Sequence, residues 1–336
     1  MRRLCMKKYN SIELIEFEKA IDFINYLRPT NLHWGSDIDL EWFFRGQPDY
    51  SWNLIPRAWR KQGIEVLKPI MDQIEEYLYT PEGNDAFTSS VRKNKITDKQ
   101  RYKELLVQTC AEMEATKQFI CFSDEMGFSV GNINDVFDSD SYIQYLSNNN
   151  ELPTILPKSA FGFAQHHGVP TRFMDWTRRP LIAAYFASAI PQKETPEKIV
   201  VWAISINFIR DKKLCHNINR LLCSRHDNQF LHNQDALFLY YDSAAQYYLS
   251  NREYPSFENV IEDVYNNSGL HDKPLRKITL PVNEVNELKQ LLWRERISLS
   301  HLMPTHDNFA KELADLWKTH KHLRVNVTGY GQDNDN

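Results

Sequence analysis

No run in the sequence approaches the ~20 consecutive apolar residues that a membrane-spanning helix needs. The basic opening "MRRLCMKKYN" is not followed by the apolar stretch of a secretory leader. Both absences lead to the expectation of a cytoplasmic protein with no membrane partner. Cysteine is scarce: Cys5, Cys110, Cys121, Cys215 and Cys223 are odd in number and widely scattered. That excludes the paired framework of a small secreted domain and fits a reducing compartment. An excess of positive charge is missing too. With a formal net charge of −4 at pH 7, no global field draws nucleic acid to the surface, and any such contact must be local.

Familiar catalytic templates are also lacking. There is no phosphate-cradling G-x-x-x-x-G-K-[ST], no dinucleotide G-x-G-x-x-G and no H-E-x-x-H, so a kinase, dehydrogenase or hydrolase is not expected. The segment "CHNINRLLCSRHDNQFLH" gathers Cys215, His216, Cys223, His226 and His232. Its spacing matches no zinc pattern, and no metal is expected. No repeat of 20–50 residues occurs.

What is present is an ordinary globular balance, 42% hydrophobic and 25% charged over 336 residues. The stretch "SIELIEFEKAIDFINYL" (11–27) predicts one helix with Ser11 as its N-cap. "LEWFFRGQ", from Leu40, predicts a buried strand that stops at Gly46 and Pro48. Residues 63–80 and 98–122 predict helices, the second capped by Asp98, with "TPEGNDAFTSSVRKNKIT" between them as loop. "SVGNINDVFDSDS" and "LSNNNELPTILPKS" are expected to be surface connections.

A helix around Ala160–Ala164 should end at Gly168 and Pro170, and a second should start with Pro180 in its first turn. "KIVVWAISI", "QDALFLYY" and residues 275–280 predict strands, and 282–296 and 307–320 predict helices. The fold class is therefore α+β: a helix-rich N-terminal half around a small mixed or antiparallel sheet formed largely by the second half.

Three separated pieces resemble one known family. "FFRGQPDYSWNLIPRAWR" (43–60), "FAQHHGVPTRFMDWTRRPLIAAYFA" (163–187) and "HLMPTHDNFAKEL" (301–313) are similar, in order and spacing, to the signatures of the FRG domain. The resemblance spans residues 15–318 and implies one FRG domain over 1–320 with helical insertions, followed by a polar tail, 321–336. A further family segment, Arg-x-x-x-Gln-x-Gly-x-Phe, corresponds to "FLHNQDALF". Gln234 and Phe238 match there, while Phe230 and Ala236 replace the Arg and Gly.

The order of these motifs is similar to that of ADP-ribosyltransferase folds. It implies NAD as cofactor and a toxin or antiphage role, with a nucleic-acid or protein acceptor and an antitoxin or regulatory partner.

On that reading Arg45 holds the pyrophosphate, His167 acts on a ribose hydroxyl or as acid or base, and Gln234, or its neighbour Asp235, orients the ribose. Phe44, Gly46, Gln47, His166, Arg172 and Tyr185 would complete the cofactor site, with Phe44 and Tyr185 as stacking aromatics. Arg172 and Asp175 are expected to pair across a turn between two helices, and Trp176 to lie in the core. Two alternatives stay open: a metal-independent ribonuclease using His166 and His167, or a non-catalytic binding module in which Arg45 is a buried strut. The transferase reading requires Arg45, His167 and Gln234 to meet at one cavity.

Overall fold

Seven strands pair into one sheet in the computed structural model, which describes residues 9–35, 40–128, 130, 152, 159–190, 195–223, 225 and 228–319. They are β1 (Ile12–Glu16), β2 (Trp42–Gln47), β3 (Met174–Thr177), β4 (Lys198–Ser205), β5 (Ile218–Leu221), β6 (Ala236–Tyr241) and β7 (Leu275–Pro281). Their order across the sheet is β1-β7-β4-β2-β3-β6-β5. β1 runs parallel to β7 and every other neighbouring pair is antiparallel. The sheet is therefore mixed, and five of its strands come from the second half of the chain.

Both faces of the sheet are covered, because the strands are apolar on both sides rather than alternating with polar residues. In β2, Trp42 and Phe44 join Ile199, Val201 and Ala203 of β4 on one face. That face is covered by α1 (Ala20–Leu27), and by helices met later in the chain. On the other face Phe43 joins Val200, Trp202 and Ile204, beneath α2 (Lys61–Leu78), α3 (Pro81–Lys93) and α4 (Lys99–Glu125). Each fully buried aromatic or aliphatic side chain here contributes roughly 1.5–3 kcal/mol relative to exposure.

Helices α5 (Ser159–His166) and α6 (Pro180–Ser188) bracket β3. α7 (Ile206–Arg210), α8 (Gln229–Asn233) and α9 (Ala244–Asn251) follow in the connections, and α10 (Phe257–Ser268) adds Phe257, Val260 and Ile261 to the core that α2 and α4 share. α11 (Val285–Arg294), α12 (Leu299–Leu302) and α13 (His306–Thr319) close the chain. α6, α11 and Leu302 of α12 share the α1 face.

Several local expectations give way to tertiary effects. Residues 11–27 are not one helix: β1 comes first and α1 begins at Ala20. Five register pairs with β7 supply β1 with ladder partners. Ser11 caps nothing, and its N–H is taken by the Glu262 carboxylate at 2.8 Å. The supposed loop after residue 80 is α3. Thr80 caps it by accepting from Gly83 N at 3.1 Å, and Pro81 occupies the first turn. These are start signals that also read as turn chemistry. The two expected surface connections fall almost entirely outside the described residues, as does the tail 321–336.

α4 carries the polarity that matters next. Eight consecutive residues, Leu105 to Glu112, are buried, so Gln108, Thr109 and Glu112 must find partners inside the protein.

Candidate functional site

β2 and β3 share a single register pair, Phe44↔Thr177. Beyond it β2 continues to Gln47, while β3 runs back to Met174, so the two strands diverge in the middle of the sheet. A cavity of about 380 Å³ occupies the fork, which is within the size range of small-molecule sites. Residues of both strands line it: Phe44, Arg45 and Gly46 on one side, and Met174, Asp175, Trp176 and Thr177 on the other. Arg57 and Arg60 add a third wall, with Gln165, His166 and Gly168 from the end of α5, and Phe173, Ala183, Phe186, Gln234, Ala236 and Met303 complete the lining.

Each wall has a local cause. A Cβ on Gly46 would lie 1.9 Å from the Ala183 carbonyl oxygen and 2.5 Å from Ala187 N. Glycine there lets α6 lie directly on the β2 backbone and form the back of the cleft. Residues 57–59 form a 3-10 turn, and with three residues per turn Arg57 and Arg60 project to one side. Arg60 is steadied by its Nε, which donates to Ile55 O at 2.7 Å. Gly168, at φ +92°, ends α5 in the left-handed region and passes close to Arg57, whose Nη1 would be 3.3 Å from an added Cβ.

The electrostatics are lopsided. Arg45, Arg57 and Arg60 line the cavity with one carboxylate, Asp175. Arg45 Nη1 donates to the Asp175 carbonyl at 2.6 Å and stands 3.7 Å from its Oδ2. The Arg45 Nε is buried with no partner, as is Trp176 Nε1. Burial pulls the Arg45 guanidinium down from its ordinary value and Asp175 partly restores it. Arg60 is brought down to about 10, by burial first and then by the positive charge of Arg45, and it stays protonated at neutral pH.

Arg57 and Arg60 form no ion pair among the described residues. Asp175 Oδ2 accepts from Gln165 Nε2 at 3.0 Å, and Gln165 Oε1 accepts from Thr171 Oγ1 at 2.8 Å. His166 is held below its ordinary value by burial, against the pull of Asp175. Three guanidinium groups, two buried donors without partners and one carboxylate suit a ligand rich in anionic acceptor oxygens.

Of the residues singled out from sequence, Arg45, Phe44, Gly46, His166 and Gln234 meet at this cleft. His167 does not. It lines a separate cavity with Phe119, Val66 and Ile70, where its ring lies 5.9 Å from Phe119 and 4.7 Å from Phe163. Gln47 is spent in the core, accepting from Trp202 Nε1 at 2.9 Å. Tyr185 packs on the α1 face beside Phe186; burial, then the nearby Glu312 and Asp315, push its hydroxyl up to about 12.

Arg172 and Asp175 do not pair, which corrects the expectation from their spacing. The segment between them enters β3 rather than turning between helices, so the two point to different partners. Arg172 pairs with Glu112, Nε to Oε2 at 3.0 Å, while Asp175 faces Arg45 and Gln165. Trp176, 2% exposed, is in the core as expected. Asp235 is outside the cavity lining, against Arg225 at 2.7 Å, whereas Gln234 is within it.

Sequence reasoning missed Arg57, Arg60, Gln165 and Asp175 as cleft residues. The arginine pair was legible as an i, i+3 repeat in "PRAWR"; the role of Asp175 was not, because its partner lies 130 residues away. Residues 127–131, "GFSVG", also spell the G-x-S-x-G of a hydrolase nucleophile elbow. That elbow needs a strand before the serine, and here α4 precedes it; Ser129 itself lies outside the described residues. Among the described residues no group of three or more His, Cys, Asp or Glu is placed to hold a metal ion, and no helix is long and apolar enough to cross a membrane.

The fold and the cleft define a class: an α+β protein whose central sheet splits around a cationic cavity. A family model described as FRG domain matches residues 135–196. The match carries α5, β3 and the α6 wall, and with them Gln165, His166 and Asp175. Arg45, Arg57, Arg60 and Gln234 fall outside it. No curated protein and no solved structure matches the chain.

Proposed function

We propose that the cleft binds NAD and transfers its ADP-ribosyl group to a macromolecular acceptor. The observation that carries this reading is the convergence of three guanidinium groups against one carboxylate in a cavity that also holds Gln234 and His166. A diphosphate suits planar, permanently charged donors such as Arg45, Arg57 and Arg60. In the reaction the bond from C1′ of the ribose to the nicotinamide nitrogen breaks, nicotinamide leaves with the electron pair, and an acceptor nucleophile bonds to C1′ and loses its proton. The oxocarbenium-like ribose formed on the way needs negative or dipolar charge nearby. Asp175 and the Gln234 carboxamide supply it, and neutral His166 takes the acceptor's proton. The convergence expected of Arg45, His167 and Gln234 is not met, since His167 lines another cavity; the scheme proposed here rests instead on His166, which lines the cleft with Arg45 and Gln234.

The test is calorimetric titration of NAD together with a nicotinamide-release assay, with nucleic acid or protein supplied as acceptor. Binding and release in the wild type, lost in Arg57→Ala at unchanged melting temperature, support the reading. No binding and no release with either acceptor class refutes it. A toxin or antiphage role belongs to the same proposal, and is checked by growth of a host expressing the protein, with and without phage. A neutralising protein partner would be recognised as one whose co-expression restores growth.

One observation favours a second reading, a binding module without catalysis. Arg45 donates to the Asp175 carbonyl at 2.6 Å, so it also serves as a strut across the fork. On that reading NAD is not turned over and Arg45→Ala chiefly lowers stability. The ribonuclease alternative has less support: the His166 and His167 rings lie 5.4 Å apart, but they line different cavities.

A further inference from the structure

Glu112 is 0% exposed and sits behind two walls of the cleft at once. Its carboxylate accepts from Trp59 Nε1 at 3.2 Å and Gln108 Nε2 at 3.3 Å. It also accepts from the Arg172 backbone N–H and Nε, each at 3.0 Å, and from Arg172 Nη2 at 3.2 Å. Trp59 stands between Arg57 and Arg60, and Arg172 stands three residues before Asp175. Neighbouring bonds join the same two segments: Gln108 Nε2 donates to Ala58 O at 3.0 Å, and Ala58 N–H donates to Thr171 O at 3.2 Å.

One buried carboxylate thus ties the segment bearing two cleft arginines to the segment bearing the cleft carboxylate. A buried ion pair adds little stability over well-packed apolar groups of the same volume, since desolvation offsets its attraction. What it imposes is a single geometry. Each Arg172 donor must meet one Glu112 oxygen, and Trp59 reaches that carboxylate in one position of its wall.

We propose that Glu112 is a positioning residue that sets the spacing between the Arg57/Arg60 wall and the Asp175 wall, and with it the affinity of the cleft for a diphosphate. This rests on the cleft being a phosphate-binding site. The probe is inorganic pyrophosphate, titrated by calorimetry into the full chain.

In Glu112→Leu/Arg172→Met the protein is expected to unfold cooperatively at a melting temperature within a few degrees of wild type, while pyrophosphate binds at least about tenfold more weakly. Arg57→Ala should also cost less in that background than in wild type, because the arginine wall is no longer held. Pyrophosphate affinity within about twofold of wild type, with full additivity of Arg57→Ala, would falsify the role.

If the double variant does not fold, Trp59→Phe removes one donor to Glu112 while keeping a ring against Tyr254, its stacking partner at 4.6 Å. About threefold weaker binding at unchanged melting temperature supports the proposal, and unchanged binding overturns it. A wild-type protein that ignores pyrophosphate overturns the cleft reading and this inference together. Binding by wild type that the variants leave intact overturns this inference alone.

Discussion

Arg172 and Arg45 flank the same short strand, β3, and the protein treats them in opposite ways. The Arg172 side chain is 5% exposed, and its donors are matched by Glu112 and by Thr109 Oγ1 at 3.0 Å. Arg45 reaches its carboxylate at 3.7 Å, gives its best hydrogen bond to a backbone carbonyl, and keeps a buried Nε with no partner. Arg57 and Arg60 deepen the imbalance. Both centres are built from the same side-chain type within one chain, so residue identity does not separate a strut from a binding group. Completeness of pairing does: a satisfied guanidinium has no further capacity, whereas an under-paired one in a cavity has donors to give to a ligand.

The comparison breaks most sharply at its closed end. Glu112→Gln leaves the Arg172 guanidinium buried without an anion and should cost about 3–5 kcal/mol, read from urea denaturation; a loss under about 1 kcal/mol would mean that this centre tolerates missing partners after all. Next is the back wall of the open centre. Gly46→Ala drives a methyl into the Ala183 carbonyl and should cost about 1–3 kcal/mol as α6 is displaced, with NAD or pyrophosphate binding weakened in parallel.

Arg57→Ala sharpens the contrast. Stability should stay within about 0.5 kcal/mol, while pyrophosphate affinity falls about tenfold, which is about 1.4 kcal/mol. A fall in melting temperature without loss of binding would place Arg57 with the struts.

The smallest effect expected is on pH dependence. Burial lowers the His167 pKa below its unfolded value of 6.5, so the unfolded chain binds the proton more readily. The stability this provides is present above pH ~6.5 and is lost as pH falls through the lower folded-state value. His167→Phe should flatten that part of the profile in pH-dependent melting curves. His33 and His166, whose values are also lowered, leave a residual slope.

Legibility in the sequence followed the range of the interactions. β2, β4, β6 and β7 were readable because their apolar runs are bounded by Gly, Pro or polar residues, and α4 because Asp98 caps a long stretch free of Gly and Pro. α3 was missed because Thr80, Pro81 and Gly83 serve a helix start and a loop equally well. Residues 11–27 were misread because a short alternating segment fits either period until β7 supplies its ladder. In the site, Arg45 and Gln234 stood out as polar residues at the ends of apolar strands. His167 was misjudged against His166, since neighbours in sequence at the end of a helix face different ways. The Arg172–Asp175 pairing failed because the i, i+3 rule holds on helices, and this segment enters a strand.

Local patterning decided the α+β class and most element positions; the resemblance added Arg45 and Gln234 as cleft residues, with His167 in the place that His166 takes. Tertiary structure alone decided that β2 and β3 part after Phe44↔Thr177, that α6 presses on Gly46, and that Glu112 satisfies Arg172 while Arg45, Arg57 and Arg60 are left facing one carboxylate. The reason is physical: helix and strand periods are written within a few residues, but the pairing of buried charges depends on distances set by segments more than fifty residues apart.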